Sequence, residues 1–226
     1  MKTVTSPLQI DLQPNCLIVR FPGIFDCLSW APWNGGEASA SGVANVQVGH
    51  NGSSSSSTLA EDFGLLFKSH SLIPEETIGL MTAANVSAFT DYFLSSSGAW
   101  VHVLVTVGLL NARSVLDDAD VELGYPCRSA GTVNVVVATN ALPTIAGRIE
   151  AIHIASSAKT AAFRDRGTTS RKSNHFADLT GTDCLVVGSS GDIEEDHCGL
   201  HTVLGEMIGR AVYASVSQGI EEYTRS

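Results

Sequence analysis

From Ala99 to Leu110 valine occupies every second position: Val101, Val103, Val105 and Val107 alternate with His102, Leu104 and Thr106. Successive side chains of a strand point to opposite faces, so this run predicts a β-strand with one face covered in valine. Branching at Cβ suits that pleated surface. Thr132 to Thr139 (Thr-Val-Asn-Val-Val-Val-Ala-Thr) reads as a second such strand. The period then changes. Pro143 to Arg166 is dense in Ala, has Pro near its first turn and is followed by Gly167, which predicts a helix with a C-terminal cap. Ile145, Ile149, Ile152, Ala155 and Thr160 mark its expected apolar stripe.

The remaining segments fill in a mixed α/β chain. Leu8 to Leu12, Cys16 to Val19, Cys27 to Trp33 and Val43 to Val48 are short runs bounded by Gly, Pro or Asn, the pattern of an antiparallel meander. Ser53 to Ser57 reads as a flexible loop, and Thr58 as the cap of a helix from Leu59 to His70 with Glu61 and Asp62 in its first turn. Thr77 to Ala83 and Cys184 to Gly188 are expected strands, and His201 to Tyr223 an expected closing helix with Leu204, Ile208, Ala211 and Val212 on one face. No repeat and no break in composition divides the chain, so one domain over 1–226 is expected, with a mixed or antiparallel sheet region and packed helices. Strand order is not legible.

Composition excludes several classes. A chain of 226 residues with 44% hydrophobic and 16% charged side chains is neither disordered nor collagen-like. Thirteen basic against 23 acidic residues give a net charge of -10, which repels phosphate backbones and anionic membrane surfaces. No run reaches the roughly 18 apolar residues of a membrane span, and no signal peptide is visible. The cysteines at 16, 27, 127, 184 and 198 are odd in number and lack C-x-x-C spacing, which suggests a reduced, cytoplasmic protein. A homo-oligomer is left open.

No phosphate-cradling glycine motif and no G-x-S-x-G elbow occurs. The polar residues that stand out sit at strand ends: Asn45 and Gln47 on a run ending at His50, then Thr106, Asn111, Asn134, Thr139-Asn140, Thr180-Gly-Thr-Asp183 and His201-Thr202. Ligand sites in α/β folds favour such ends, although each residue taken singly also fits a turn or cap. His102 and His153 read as packed or surface histidines, and His70 as exposed. His197, Cys198 and His201 lack the second ligand pair of a structural zinc site.

Taken in order, Val43-Ala-Asn-Val-Gln-Val48, Gly79-Leu-Met-Thr-Ala83, Val105-Thr-Val-Gly-Leu-Leu-Asn-Ala112, Gly131-Thr-Val-Asn-Val-Val-Val-Ala-Thr-Asn140, Ser157-Ala-Lys-Thr160, Thr180-Gly-Thr-Asp183 and His201-Thr-Val-Leu-Gly205 resemble the adenosylcobinamide amidohydrolase family of corrinoid salvage. Two places depart from the family pattern. Ala84-Asn85-Val86 stands where an acidic residue is expected near 85, and Arg113 to Asp118 replaces a small or glycine-rich turn. Both bear on substrate recognition rather than on reaction class. The resemblance implies cleavage of the amide between the corrin propionyl side chain and aminopropanol, giving adenosylcobyric acid and 1-amino-2-propanol. The corrinoid is then the substrate, and no separate cofactor is expected. A non-catalytic corrinoid-binding protein, or a hydrolase of another amide on the same scaffold, are the alternatives.

An unactivated amide needs a base, an acid for the departing nitrogen and donors for the oxyanion. His175, Asp183 and His201 are the candidate catalytic residues, with Asp183 orienting an imidazole. Thr182 or Thr139 is the candidate nucleophile of a covalent variant. Asn45, Gln47, Asn111, Asn134, Asn140 and Thr182 are the candidate substrate-binding residues, expected to line one concave site. Activity is expected to need no metal. Were one required, His175, Asp183 and His201 would be its first candidate ligands.

Overall fold

The computed structural model describes residues 5–49, 56–120 and 131–225. His50, Ser53 to Ser55, Cys127 and the Arg128-Ser-Ala approach to Gly131 lie outside them. Among the described residues, ten strands and three α-helices follow one another as β1 (Gln9–Gln13), β2 (Cys16–Ser29), β3 (Gly36–Gln47), α1 (Ser56–Ser69), β4 (Thr77–Thr82), β5 (Thr90–Ser96), β6 (Ala99–Val107), β7 (Ala112–Arg113), β8 (Val133–Pro143), α2 (Ile145–Asp165), β9 (Leu179–Thr180), β10 (Cys184–Glu195) and α3 (Val203–Arg225). Eight strands form one mixed sheet in the order β4-β3-β2-β10-β8-β6-β5, with β1 added on β2 as an antiparallel hairpin. β3–β4 and β8–β10 are parallel, and the other neighbours are antiparallel. β7 and β9 form a separate small ribbon.

The sheet bends back on itself. Asn45 of β3 touches Asn134 of β8 and Thr106 of β6, strands that are not its neighbours in the sheet. Three cores result. Val101, Val103, Val105, Val133, Val135 and Val137 pack under α2 and α3. Between the two halves of the sheet, Val43, Ile78 and Leu80 meet Trp100, Leu104 and Val136. Outside β2 and β3, Phe63 and Phe67 of α1 cover Cys16, Ile18 and Ala44. The layers therefore run helix, half-sheet, half-sheet, helix pair. The alternation along β6 produces this arrangement directly: its odd positions face the helices and its even positions face the sandwich interior.

Some local expectations change. The runs at Cys16 and Cys27 are one strand, β2, whose register against β3 shifts between Arg20 and Phe25. Pro22 has no N–H to give a ladder and falls in that irregularity. β5 was not anticipated; it joins β6 through Ser97 and Gly98, both at positive φ. Pro143 ends β8, and the Thr144 hydroxyl caps α2 by accepting from Gly147 N at 3.1 Å. Thr202 caps α3, accepting from Gly205 N at 3.0 Å. Ser56 and Ser57 open α1. The buried face of α2 is Gly147, Arg148, Ala151, Ile154, Ala155, Lys159, Ala162 and Phe163, while Ile145 and Ile149 are exposed. Ala151, Ile154, Ala155, Ala162 and Phe163 pack there against the valine face.

Candidate active site at the sheet end

β8 and β10 start, and β3, β4 and β6 end, at one edge of the sandwich. Asp183 is the residue before β10. Its carboxylate accepts from Val133 N at 3.0 Å, from Thr180 N at 3.1 Å, from the Thr180 hydroxyl and from the Lys159 ammonium. The Lys159 and Asp183 side chains are only 8% and 7% exposed. Burial of each charge is tolerable because the other is there. With four donors on it, this carboxylate orients no imidazole; it anchors Lys159 and the turn of residues 180–183. That corrects the role expected for Asp183.

The anchored turn presents Thr182. Its Oγ lies 2.9 Å from Thr132 Oγ, donates to Gly131 O at 3.0 Å, and accepts from Asn111 Nδ2 at 3.4 Å. Gly131 has φ +127°, and a Cβ there would lie 2.7 Å from Asn111 Oδ1, so only glycine fits. One layer deeper, Asn45 Nδ2 donates to Thr106 Oγ at 2.9 Å. Asn134 Nδ2 donates to Asn45 Oδ1 at 2.8 Å and to Met81 O at 2.9 Å. Gln47 Oε1 accepts from Val86 N at 3.2 Å. Beside this cluster opens a cleft of about 350 Å³, bordered by Gln47, Asn85, Gly108, Gly131 and Glu222.

Although of the six Gln47 alone borders the cleft and Asn45, Asn111 and Asn134 are buried, Asn45, Gln47, Asn111, Asn134, Thr182 and Asp183 come together at this end of the sheet. Asn140 and His201 do not. Asn140 accepts from Trp100 N at 2.7 Å and donates to Gly98 O at 3.0 Å, closing the β5–β6 hairpin at the far end of β8. His201 follows the far end of β10 and is exposed. The twelve residues of β10 lie between it and Asp183 along the chain. Thr139 is fully buried, and its hydroxyl accepts from Ala141 N at 3.1 Å, which removes it as a nucleophile. His175 is exposed at the correct end, on a loop held by Ser170 N to His175 O at 2.9 Å and Arg171 N to Ala112 O at 2.8 Å.

That loop is clamped by Asp117, which accepts from Ser170 Oγ and Ser173 Oγ, both at 2.5 Å, and from Ser114 N at 2.8 Å. These hydrogen bonds, the two serine hydroxyls foremost, hold its carboxyl down at about 2. The departure at Asp117 is therefore a polar clamp between two loops. Asn85 caps a short 3-10 turn, its side chain accepting from Ser87 N. Burial pushes the thiol of Cys16 up to about 11 and those of Cys27, Cys184 and Cys198 up to about 12, too high for a thiolate nucleophile. Lys159 was not among the candidates. The signal for it was a lysine seven and four residues beyond Ile152 and Ala155, on the inward face of an Ala-rich helix.

The sequence matches the adenosylcobinamide amidohydrolase (CbiZ) family over residues 1–226, and the chain belongs to that family. An uncharacterized protein of Methanocaldococcus jannaschii is 38% identical over 96 residues, which cover 42% of this chain and 38% of that one. The match thus spans well under half of the relative's length. Among solved structures, a Burkholderia sp. beta-aminopeptidase is similar at TM-score 0.48 and 8% identity, over 91% of this chain and 78% of that one. A Pyrococcus horikoshii OT3 protein is similar at TM-score 0.45 and 10% identity, over 93% and 80%. Among the described residues no helix is long and apolar enough to cross a membrane.

Proposed function

We propose that this amidohydrolase cleaves the amide joining the corrin propionyl side chain of adenosylcobinamide to aminopropanol, releasing adenosylcobyric acid and 1-amino-2-propanol. The observation that carries the reading is a cleft with Gln47 and Asn85 on its border, opening beside exposed Thr182 and its buried partners Asn111 and Thr132, at one sheet end of a chain belonging to this family. A corrinoid is fringed with neutral amides, and neutral amide and hydroxyl groups are its natural partners.

Thr182, an exposed residue of the cluster, is the group that meets the scissile carbonyl. Asn111 Nδ2 lies alongside it as a donor for the developing oxyanion. His175, on the clamped loop at the same end, carries the proton transfers; histidine titrates near neutrality and suits both directions. Lys159 and Asp183 hold the turn that positions Thr182. Overall, water adds to the acyl carbon, the C–N bond breaks and the nitrogen leaves protonated.

The test is incubation with adenosylcobinamide, followed by chromatography of the corrinoid and assay of the amine. Equimolar adenosylcobyric acid and 1-amino-2-propanol are expected. Tight binding without release would make the protein a carrier. Turnover of other amides with adenosylcobinamide untouched would place the substrate elsewhere. Full activity lost to a chelator and restored by zinc would overturn the expectation that no metal is needed.

A further inference from the structure

Building on that proposed hydrolysis, we infer that the cleft beside Gly131 receives the amine side of the scissile bond, and that Glu222 is the carboxylate that meets the ammonium of the released amine. Size is the first argument. Pockets that take drug-sized ligands run from roughly 300 to 1,000 Å³. At about 350 Å³ this cleft holds a three-carbon amino alcohol with room for water, and cannot hold a corrin macrocycle with its side chains. The macrocycle stays at the rim, and what enters is the small end of the substrate.

Position is the second argument. Gly131 borders the cleft, and its carbonyl accepts the Thr182 hydroxyl at 3.0 Å. The cleft therefore begins where the proposed chemistry takes place. Charge is the third. Among the described residues that border the cleft, Glu222 is the one Asp, Glu, Lys, Arg or His, set among Gln47, Asn85, Tyr223 and apolar side chains. The fold brings it there by a specific device. A Cβ on Gly219 would lie 2.6 Å from Val107 Cγ2, so glycine lets α3 press against β6. Glu222, three residues on, shares that helix face. Gln218 Nε2 donates to Glu222 Oε1 at 2.8 Å and steadies the carboxylate. An amine leaving as ammonium, with a neutral polar lining and one carboxylate to receive it, is the chemistry this cleft fits.

The experiment compares wild type with Glu222→Gln and with Ala88→Leu, which narrows the exposed rim of the cleft. Inhibition of adenosylcobinamide hydrolysis by added 1-amino-2-propanol is measured against 1,2-propanediol, which lacks the charge. Wild type should be inhibited far better by the amine. Glu222→Gln should weaken amine inhibition about tenfold, the scale of a lost charged hydrogen bond, and leave diol inhibition unmoved. Ala88→Leu should weaken both. Equal amine inhibition of wild type and Glu222→Gln during normal turnover overturns the inference and leaves the proposed function standing. Absence of turnover by wild type overturns the proposed function instead. Calorimetric binding of the amine then decides the cleft: loss in Glu222→Gln supports it, and equal or undetectable binding to wild type refutes it.

Discussion

Lys159, in the C-terminal half of α2, and Asp183, the residue that precedes β10, form a buried ion pair that ties the helix layer to the sheet end that carries the candidate site. Neither charge faces enough water to stand alone. Removing one strands the other in a poorly solvated site, which costs about 3 kcal/mol or more. Lys159→Ala and Asp183→Asn should each destabilise the protein by about that amount in denaturant titrations. The double substitution should cost clearly less than the sum. Additive losses would show that the two act independently.

Thr182→Val and His175→Ala should each lower kcat by about 100-fold with little change in unfolding midpoint, the scale of a lost proton-transfer or reacting group. His201→Ala should keep wild-type kcat, because β10 separates it from the cluster. Near-normal turnover by Thr182→Val, or loss of activity in a folded His201→Ala protein, would relocate the chemistry.

Asp117 gives a pH signature. Its folded carboxyl sits at about 2, below the ordinary 3.8, so the folded state holds its proton less tightly than the unfolded state. The stabilisation from this group is complete above about pH 4, declines as pH falls and is gone below about pH 2. Asp117→Asn should thus be less stable than wild type at neutral pH, with the difference shrinking between about pH 4 and pH 2. A gap that is constant across that window would exclude the clamp. Acid unfolding followed by circular dichroism measures it.

Gly131→Ala places a methyl 2.7 Å from Asn111 Oδ1 and 2.8 Å from Asn111 N at a φ that L-residues rarely adopt. It should destabilise by more than about 1 kcal/mol and lower kcat by displacing Asn111. Wild-type stability and activity would mean that the segment relaxes without cost.

Alkylation probes the thiols. Burial holds Cys16, Cys27, Cys184 and Cys198 protonated well above neutrality. Iodoacetamide at pH 8 should leave all four unmodified by peptide mass spectrometry while the protein is folded. Rapid modification of any of them would show local opening around that strand or loop.

How much of this was legible beforehand follows from which interactions are local. Alternation at Val101 to Val107 and the Ala-rich run before Gly167 determine strand and helix by themselves, because strand period, helix period and capping act over a few residues. Ordered segments also carried the family resemblance. Asn45 and Asn134 were visible as polar strand residues, yet nothing local says that β3 folds over β8 to join them. Thr139-Asn140 and Thr180 to Asp183 look alike in sequence, and strand direction alone sends one to the hairpin end and the other to the end with the Lys159–Asp183 pair. Lys159 looked like one more helix residue until α2 was laid along β10 and its ammonium met Asp183. Local chemistry chose the elements. Long-range packing of a sheet bent on itself decided which of their ends share a site.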